Sequence, residues 1–511
     1  MVAHIKTATI VGIEGYLIDV EVDTNLSLPS IVIVGLPDTA VSEAKERIRA
    51  AIKNCSYSFP SQKVIINLAP ADIKKEGSCF DLPMAIGILG CSGVVDLALV
   101  SEYAFLGELS LDGSLRPVNG VLPIALALKN HNITKLILPK DNVLEAGLVD
   151  GIEVYPAENL SQVVNMFLKE GAREAIFPFN VDVSEFLNNK EACVDFDFKD
   201  VKGQQKAKRA LEIAAAGGHN ILMSGSPGSG KTLLAKCFAG ILPPLTLDEA
   251  LEITKIYSIS GLLDREQPLV NSRPFRSPHH SASGVGIIGG GSTPRPGEIT
   301  LAHNGVLFLD EVVEFPRQVL EVLRQPLEDG YVNISRVQMS VKYPADFILL
   351  AAMNPCPCGF LGDSQKTCVC SNGQVQRYWN RLSGPLLDRI DMQIDVPRLS
   401  QEELLTTQDA KEGTKEIRER VSLARELQNK RFQGDNIVNN SQMTPKHIKK
   451  YCKLNNQCEE MLKNAISRFN LSGRAFDRIL KLSRTIADIE GSLQIELPHL
   501  AEALQYRDIK R

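Results

Sequence analysis

The alternation of apolar and polar positions sorts the chain into strands and helices before any chemistry is considered. Tyr16-Leu17-Ile18-Asp19-Val20-Glu21-Val22 and Ser30-Ile31-Val32-Ile33-Val34 are rich in β-branched residues and read as strands. Gly35-Leu36-Pro37-Asp38 then breaks the pattern ahead of an amphipathic helix ending near Asn54. Lys63 to Leu68 is a further strand, and Asp112-Gly113 centres a hairpin over Glu108 to Leu115. Strands at Lys135–Pro139 and Ile152–Tyr155 alternate with helices up to Phe167, so residues 1–170 read as one α/β domain. Residues 171–195 lose this periodicity and carry Pro178, Asn188 and Asn189, as a linker does. Beyond it, a helix over Ala207–Ala216 leads to apolar strands at Asn220–Met223, Gly305–Leu309 and Phe347–Met353. These define a second α/β domain, 196–398. The remainder, 399–511, is helical, with Ile417, Val421 and Ala424 on one face amid Lys, Arg and Glu.

Composition narrows the possibilities. The 511 residues are 44% hydrophobic and 23% charged, the balance of a globular protein with sizeable cores. The formal net charge of −5 excludes a global basic field, so any nucleic-acid contact must be local or assembled between subunits. The longest uncharged apolar stretch, between Asp81 and Asp96, is too short to span a bilayer, and Pro83 interrupts it. No apolar core follows Met1-Val2-Ala3-His4-Ile5-Lys6-Thr7, so a soluble cytoplasmic protein is expected. Of the eleven cysteines, seven are scattered singly, which suits reduced thiols rather than a disulfide framework.

The chemistry concentrates in one loop. Gly225-Ser226-Pro227-Gly228-Ser229-Gly230-Lys231-Thr232 lies between a strand and the helix starting at Leu233, the G-x-x-x-x-G-K-[ST] pattern in its proper context. Backbone N–H groups of such a loop surround phosphate oxygens, Lys231 reaches the β- and γ-phosphates of ATP, and the Thr232 hydroxyl ligates Mg2+. Downstream, Gly305-Val306-Leu307-Phe308-Leu309-Asp310-Glu311 is a buried strand ending in two carboxylates, with Asp310 suited to hold Mg2+ and Glu311 to activate water. Asn354 ends a third strand, where its amide can position that water or merely cap the strand.

Two insertions suit contacts with a phosphate backbone. The first, Arg273 to Pro296, offers Arg273, Arg276 and Arg295 around a glycine-rich centre. Histidines 279, 280 and 303 accompany it, and their spacing favours structural or nucleic-acid contacts over metal. The second, Tyr331 to Lys342, reads as a hairpin with Arg336 near its tip and Lys342 on its return arm. Cys356, Cys358, Cys368 and Cys370 form a clustered pair of C-x-C motifs that suits structural Zn2+ or, alternatively, four reduced unligated thiols.

Residues 1–170 resemble the protease domain of Lon-type enzymes through Lys75-Glu76-Gly77-Ser78-Cys79-Phe80-Asp81-Leu82 and Gly107-Glu108-Leu109-Ser110-Leu111-Asp112-Gly113. In that alignment the nucleophilic serine falls on Cys79 and the activating lysine near Leu122, which can supply no base. The domain is therefore expected to be degenerate and non-proteolytic. Across nearly the whole chain the order of motifs resembles AAA+ ATPases of the magnesium-chelatase-like branch, and within it the YifB/ComM family. Distinctive runs carry that resemblance: Arg273-Pro274-Phe275-Arg276-Ser277-Pro278-His279-His280, Pro294 to Gly305, and Ser383-Gly384-Pro385-Leu386-Leu387-Asp388-Arg389-Ile390-Asp391.

The implied fold is an AAA+ P-loop core with a helical lid behind a Lon-protease-like α/β domain. The implied roles are Asn354 as sensor 1, Arg389 as arginine finger with Arg381 a second candidate, and Arg474, in Leu471-Ser472-Gly473-Arg474-Ala475, as sensor 2. Arg389 has a plainer alternative, a local pair with Asp388 or Asp391. A finger acts on the neighbouring subunit's nucleotide, so the resemblance implies a homo-hexameric ring. The activity the resemblance implies is an ATP-driven ring motor on branched or single-stranded DNA, a branch-migration helicase in recombination or natural transformation. The rivals are a Lon-like protein-remodelling machine and a chelatase-type motor, the latter disfavoured because the Lon-like domain is foreign to it.

Overall fold

The computed structural model describes residues 2–188, 196–291, 294–336, 339–400, 412–469 and 472–507. Part of the expected linker (189–195), residues 401–411, Leu471, the hairpin tip Val337–Gln338 and the side chain of Arg336 lie outside the described residues. The chain divides into two compact units, Met1–Lys190 with Leu247–Asn271, and Glu191–Thr246 with Ser272–Arg511. Residues 247–271, expected inside the 196–398 core, thus belong to the first unit. Their helix Leu247–Ile259 buries Ala250, Ile253 and Ile256, and Ser258 donates a hydrogen bond to the Glu145 carboxylate.

Among the described residues, the first unit has nine strands, β1 (Ala3–Val11), β2 (Glu14–Asn25), β3 (Ile31–Val34), β4 (Lys63–Ala69), β5 (Tyr103–Phe105), β6 (Glu108–Leu109), β7 (Leu115–Arg116), β8 (Lys135–Pro139) and β9 (Glu153–Ala157). Seven of them form a mixed sheet in the order β3-β4-β2-β1-β5-β8-β9, and β6 and β7 pair as the expected hairpin. β1 was not anticipated because Thr7 and Thr9 interrupt its apolar pattern, yet both are buried beside Ala3, Ile5 and Ala8. The helix Thr39–Asn54 begins at Asp38, whose carboxylate accepts from the Val41 N–H at 2.8 Å. The helix Asp81–Cys91 is buried from Asp81 through Gly90, so its even hydrophobicity marks a core element.

The second unit holds β10 (Ile221–Ser224), β11 (Phe275–Arg276), β12 (Gly289–Gly290), β13 (Arg295–Pro296), β14 (Val306–Leu309), β15 (Tyr331–Arg336), β16 (Met339–Pro344), β17 (Ile348–Met353) and β18 (Met392–Asp395). Five run parallel in the order β11-β14-β17-β10-β18. β10, β14 and β17 are buried at every residue, as their uninterrupted apolar runs require of a sheet covered on both faces. β12–β13 and β15–β16 are separate two-stranded ribbons carried by the two insertions. Among the described residues, five α-helices follow the sheet: Thr414–Arg431, Pro445–Tyr451, Asn456–Phe469, Gly473–Ile489 and Leu497–Gln505. The first buries Ile417, Val421 and Ala424, the face read from the sequence. These residues join Ile221, Phe238, Phe308 and Leu350 in one hydrophobic cluster, so the helical region and the sheet share a core. No helix among the described residues is long and apolar enough to cross a membrane.

Candidate nucleotide site

The sheet order brings the chemistry to one edge. β10 pairs with β17 (Ser224 opposite Met353) and β17 with β14 (Leu309 opposite Ala351). The phosphate loop, Asn354 and the Asp310-Glu311 pair therefore leave the carboxyl ends of three neighbouring parallel strands, where α/β sheets bind ligands. Gly225 must be glycine because an added Cβ would lie 2.3 Å from the Val396 carbonyl oxygen. The loop ends at Gly230, left-handed at φ 92°, and the helix Lys231–Ile241 begins.

Lys231 is buried, and its ammonium donates to the Gly225 and Ser226 carbonyls at 2.7 and 3.1 Å. Burial lowers its pKa, while Asp310 and Glu311 oppose that shift. The Thr232 hydroxyl donates to Asp310 Oδ2 at 2.9 Å. These two oxygens fit a hard cation such as Mg2+, which prefers hydroxyl, carboxylate and water ligands. The loop and helix N-terminus fit the phosphates of a nucleotide, and Lys231 can exchange its carbonyl partners for phosphate oxygens.

Glu311 adopts a left-handed conformation, φ 50°, uncommon for a residue with a side chain and the kind of strain that functional sites retain. Its N–H donates to Asp310 Oδ1 at 3.0 Å, and its carboxylate is exposed. His280 Nδ1 lies 3.8 Å from Glu311 Oε2. The His280 ring is held against His279, with centroids 4.1 Å apart, and against the edge of Phe315. The sequence singled out His280 only as one of three histidines; its facing Glu311 carries no local sequence signal. His303 is structural, with Nδ1 accepting from the Asp346 N–H at 3.1 Å and Nε2 3.1 Å from the Asn304 amide.

The arginines sort themselves by partner. Arg389 is 7% exposed, pairs with Glu328 and donates to the Pro385 carbonyl at 2.6 Å. Its carboxylate partner is thus Glu328, neither Asp388 nor Asp391. Arg474, 62% exposed, approaches the same Glu328 at 4.0 Å. The structure therefore brings the expected finger and sensor 2 together on one acceptor, which no sequence spacing indicated. Arg381 is exposed and pairs with Glu314 at 2.9 Å.

Two of the expected nucleic-acid contacts have partners within the protein. Arg273 donates to the Pro243, Asn304 and Pro244 carbonyls at 2.7, 2.8 and 3.4 Å. Arg276 forms a bidentate pair with Glu298 at 2.6 and 2.7 Å. Both guanidinium groups tie the insertion to the segments that flank it. Arg295 is exposed on β13, Lys342 lies over the Tyr331 ring at 3.7 Å, and Arg336 ends β15 opposite Met339.

The cysteine cluster closes as the spacing suggested. The Sγ of Cys356 lies 3.4 Å from that of Cys358 and 3.6 Å from that of Cys368, and Cys358 and Cys368 are 3.6 Å apart. With Cys370, all four sulfurs fall within 4.8 Å of one another. A tetrahedral Zn–S4 site with bonds near 2.3 Å has sulfurs about 3.8 Å apart, so these residues fit the metal. In the first unit, burial and then Asp81 push the Cys79 thiol up to about 12, and Leu122 is fully buried. At neutral pH Cys79 is therefore a thiol, the weak form of a nucleophile.

Comparison with known proteins agrees with this geometry. A family model described as magnesium chelatase, subunit ChlI, matches residues 197–404, and one for the C-terminal part of that subunit matches 411–507. A third, described as subunit ChlI of Mg-chelatase, matches 20–142. That match overturns the expectation that the N-terminal domain is foreign to chelatases. Fold and site define a protein of the magnesium-chelatase-like AAA+ class. Competence protein ComM of Haemophilus influenzae is 45% identical over 503 residues, covering 98% of this chain and 96% of the relative. Protein YifB of Escherichia coli is 44% identical over 510 residues, covering 99% and 97%. The chain belongs to the YifB/ComM family. A magnesium-chelatase 67 kDa subunit of Chlorobaculum parvum is 30% identical over 164 residues, covering 31% of this chain and 23% of that subunit.

Proposed function

We propose that the protein hydrolyses ATP in a homo-hexameric ring and uses the cycle to move DNA, acting on branched or single-stranded substrates in recombination or natural transformation. The observation that carries the ATPase reading is the Thr232–Asp310 hydrogen bond with Glu311 beside it, which joins a phosphate loop to a carboxylate pair across two strands. Phosphates would lie along Gly225–Thr232, and Mg2+ would be held by Thr232 and Asp310 and supply charge neutralisation there. Glu311 would orient or deprotonate the attacking water together with Asn354. Arg389, with Arg474 beside it, would leave Glu328 for the γ-phosphate of a neighbouring subunit's nucleotide, and Arg381 is the alternative contact.

Support for DNA comes from the cationic ribbons, with Arg295 on one and Arg336 and Lys342 on the other, and from the competence protein among the relatives. The four clustered thiols are proposed to hold a structural zinc ion. The first unit is proposed to be a non-proteolytic Lon-like scaffold. A chelatase-type motor is the second reading, favoured by the three chelatase-subunit matches. A synthetic four-way junction with one labelled arm separates the readings. ATP-dependent conversion to forked products, absent in Lys231→Ala, is expected of the DNA motor. Intact junctions under active ATP turnover would reject it.

A further inference from the structure

We propose that the loop closed by Cys356, Cys358, Cys368 and Cys370 is a zinc-thiolate clamp on the phosphate loop, so that metal occupancy sets nucleotide affinity. This rests on the zinc reading of the same thiols. The sulfur separations of 3.4 to 3.6 Å match the edge of a tetrahedral site and far exceed a disulfide bond of about 2.05 Å. Backbone donors already surround the ligand atoms. The Cys370 N–H donates to Cys368 Sγ at 3.4 Å, the Phe360 and Val369 N–H groups face Cys358 Sγ, and the Cys358 N–H faces Cys370 Sγ. Such outer donors orient thiolate ligands and favour the metal-bound form. As each sulfur–zinc bond forms, the thiol proton passes to solvent.

What makes the site more than a local staple is where its loop lies. Gly359 has φ 83°, and an added Cβ would sit 2.7 and 2.8 Å from Cδ and Cγ of Pro227, in the middle of the phosphate loop. Asp363 stands beside Ser226, whose hydroxyl is the main influence holding its carboxyl below the usual range. Its Oδ1 accepts from the Gln365 and Lys366 N–H groups at 2.8 and 3.0 Å. The loop starts directly after Asn354 and ends at the helix Asn372–Trp379, whose Trp379 indole donates to the Pro355 carbonyl at 3.0 Å.

Little apolar packing holds the loop otherwise: Cys356 is buried, but Leu361 and Val369 are 44% and 85% exposed. A metal that cross-links its ends removes most of its freedom, and with it the freedom of Gly359 and Asp363 to leave Pro227 and Ser226.

The test uses the full chain purified under reducing conditions. Zinc per chain is measured, Co2+ is titrated into chelated protein as a spectroscopic probe of thiolate ligation, and affinity for a fluorescent ATP analogue is measured with and without metal. Fluorescence of Trp379, the only tryptophan, reports the loop directly. One tightly bound zinc, a thiolate–cobalt charge-transfer band, and affinity that falls about tenfold on chelation and returns with Zn2+ are expected, the scale of one lost contact. Cys368→Ser should lose the zinc and weaken nucleotide binding; Gly359→Ala and Asp363→Asn should keep the zinc yet weaken nucleotide binding, which covers the case in which Cys368→Ser fails to fold. Absence of both zinc and the cobalt band would reject the zinc reading and the clamp together. Bound zinc with the same nucleotide affinity in the metal-free protein, or parental affinity in both loop variants, would overturn the clamp and leave the zinc reading standing.

Discussion

Glu311 combines a backbone strained into the left-handed region with an exposed carboxylate, the group proposed to activate water. Replacing it with Gln keeps the size and removes the proposed base. Glu311→Gln is expected to lower kcat by about 10²- to 10⁴-fold while nucleotide affinity stays near the parent's, read from turnover and from binding of an ATP analogue. Equal losses in both would mean that Glu311 only shapes the site. Asp391 makes a different kind of prediction. Burial alone would raise its pKa, but His219, Arg478 and Lys481 outweigh burial and draw it down to about 2. A depressed carboxyl stabilises the fold fully above the unfolded value near 4, and that stability is lost as pH falls toward the folded value. Its size is about 2 kcal/mol. In urea unfolding, the gap between the protein and Asp391→Asn should narrow between pH 4 and pH 2; a constant gap would contradict the assignment.

At the scale of elements, legibility followed how local the signal was. The phosphate loop, β10 and the apolar face of Thr414–Arg431 were readable because their patterns are contiguous. β1 was not, because Thr7 and Thr9 break the apolar alternation of a buried strand. The meeting of Arg389 and Arg474 at Glu328 joins residues far apart in sequence, and so does Gly359 against Pro227; no spacing rule reports such contacts. Arg273 and Arg276 were legible as cations, but the carbonyls and the Glu298 carboxylate that hold them were not.

The ribbons make the element-scale prediction. Reversing the charge at Arg295 or Lys342 should weaken DNA binding across all sequences and reduce the salt slope of affinity by about one per lost phosphate contact. Arg276→Ala should instead destabilise the insertion through Glu298. An unchanged salt slope in both ribbon variants would exclude the ribbons from the DNA path.

For the whole molecule, the two units follow different patterns: a mixed sheet that takes in residues 247–271, and a parallel sheet sharing its core with the C-terminal helices. The excursion at 247–271 was hidden because the helix Leu247–Ile259 starts afresh after Pro243-Pro244, and its local sequence does not say which sheet it packs with. A ring with arginines acting between subunits predicts complementation. Lys231→Ala lacks its own phosphate contact, and Arg389→Ala lacks the charge offered to a neighbour, whose loss costs about 10³-fold or more. Mixed in equal amounts, the two should regain turnover because some interfaces carry both intact parts. No recovery in mixed oligomers would place Arg389 in a structural role with Glu328.

The most direct measurement is steady-state ATP turnover of the purified chain alone and with single-stranded, duplex and four-way-junction DNA, with Lys231→Ala as control. Turnover that rises several-fold with DNA, most with the junction, and vanishes in Lys231→Ala is the expected result. Turnover that vanishes in Lys231→Ala but ignores every DNA would contradict the DNA motor and leave an ATPase acting on another client.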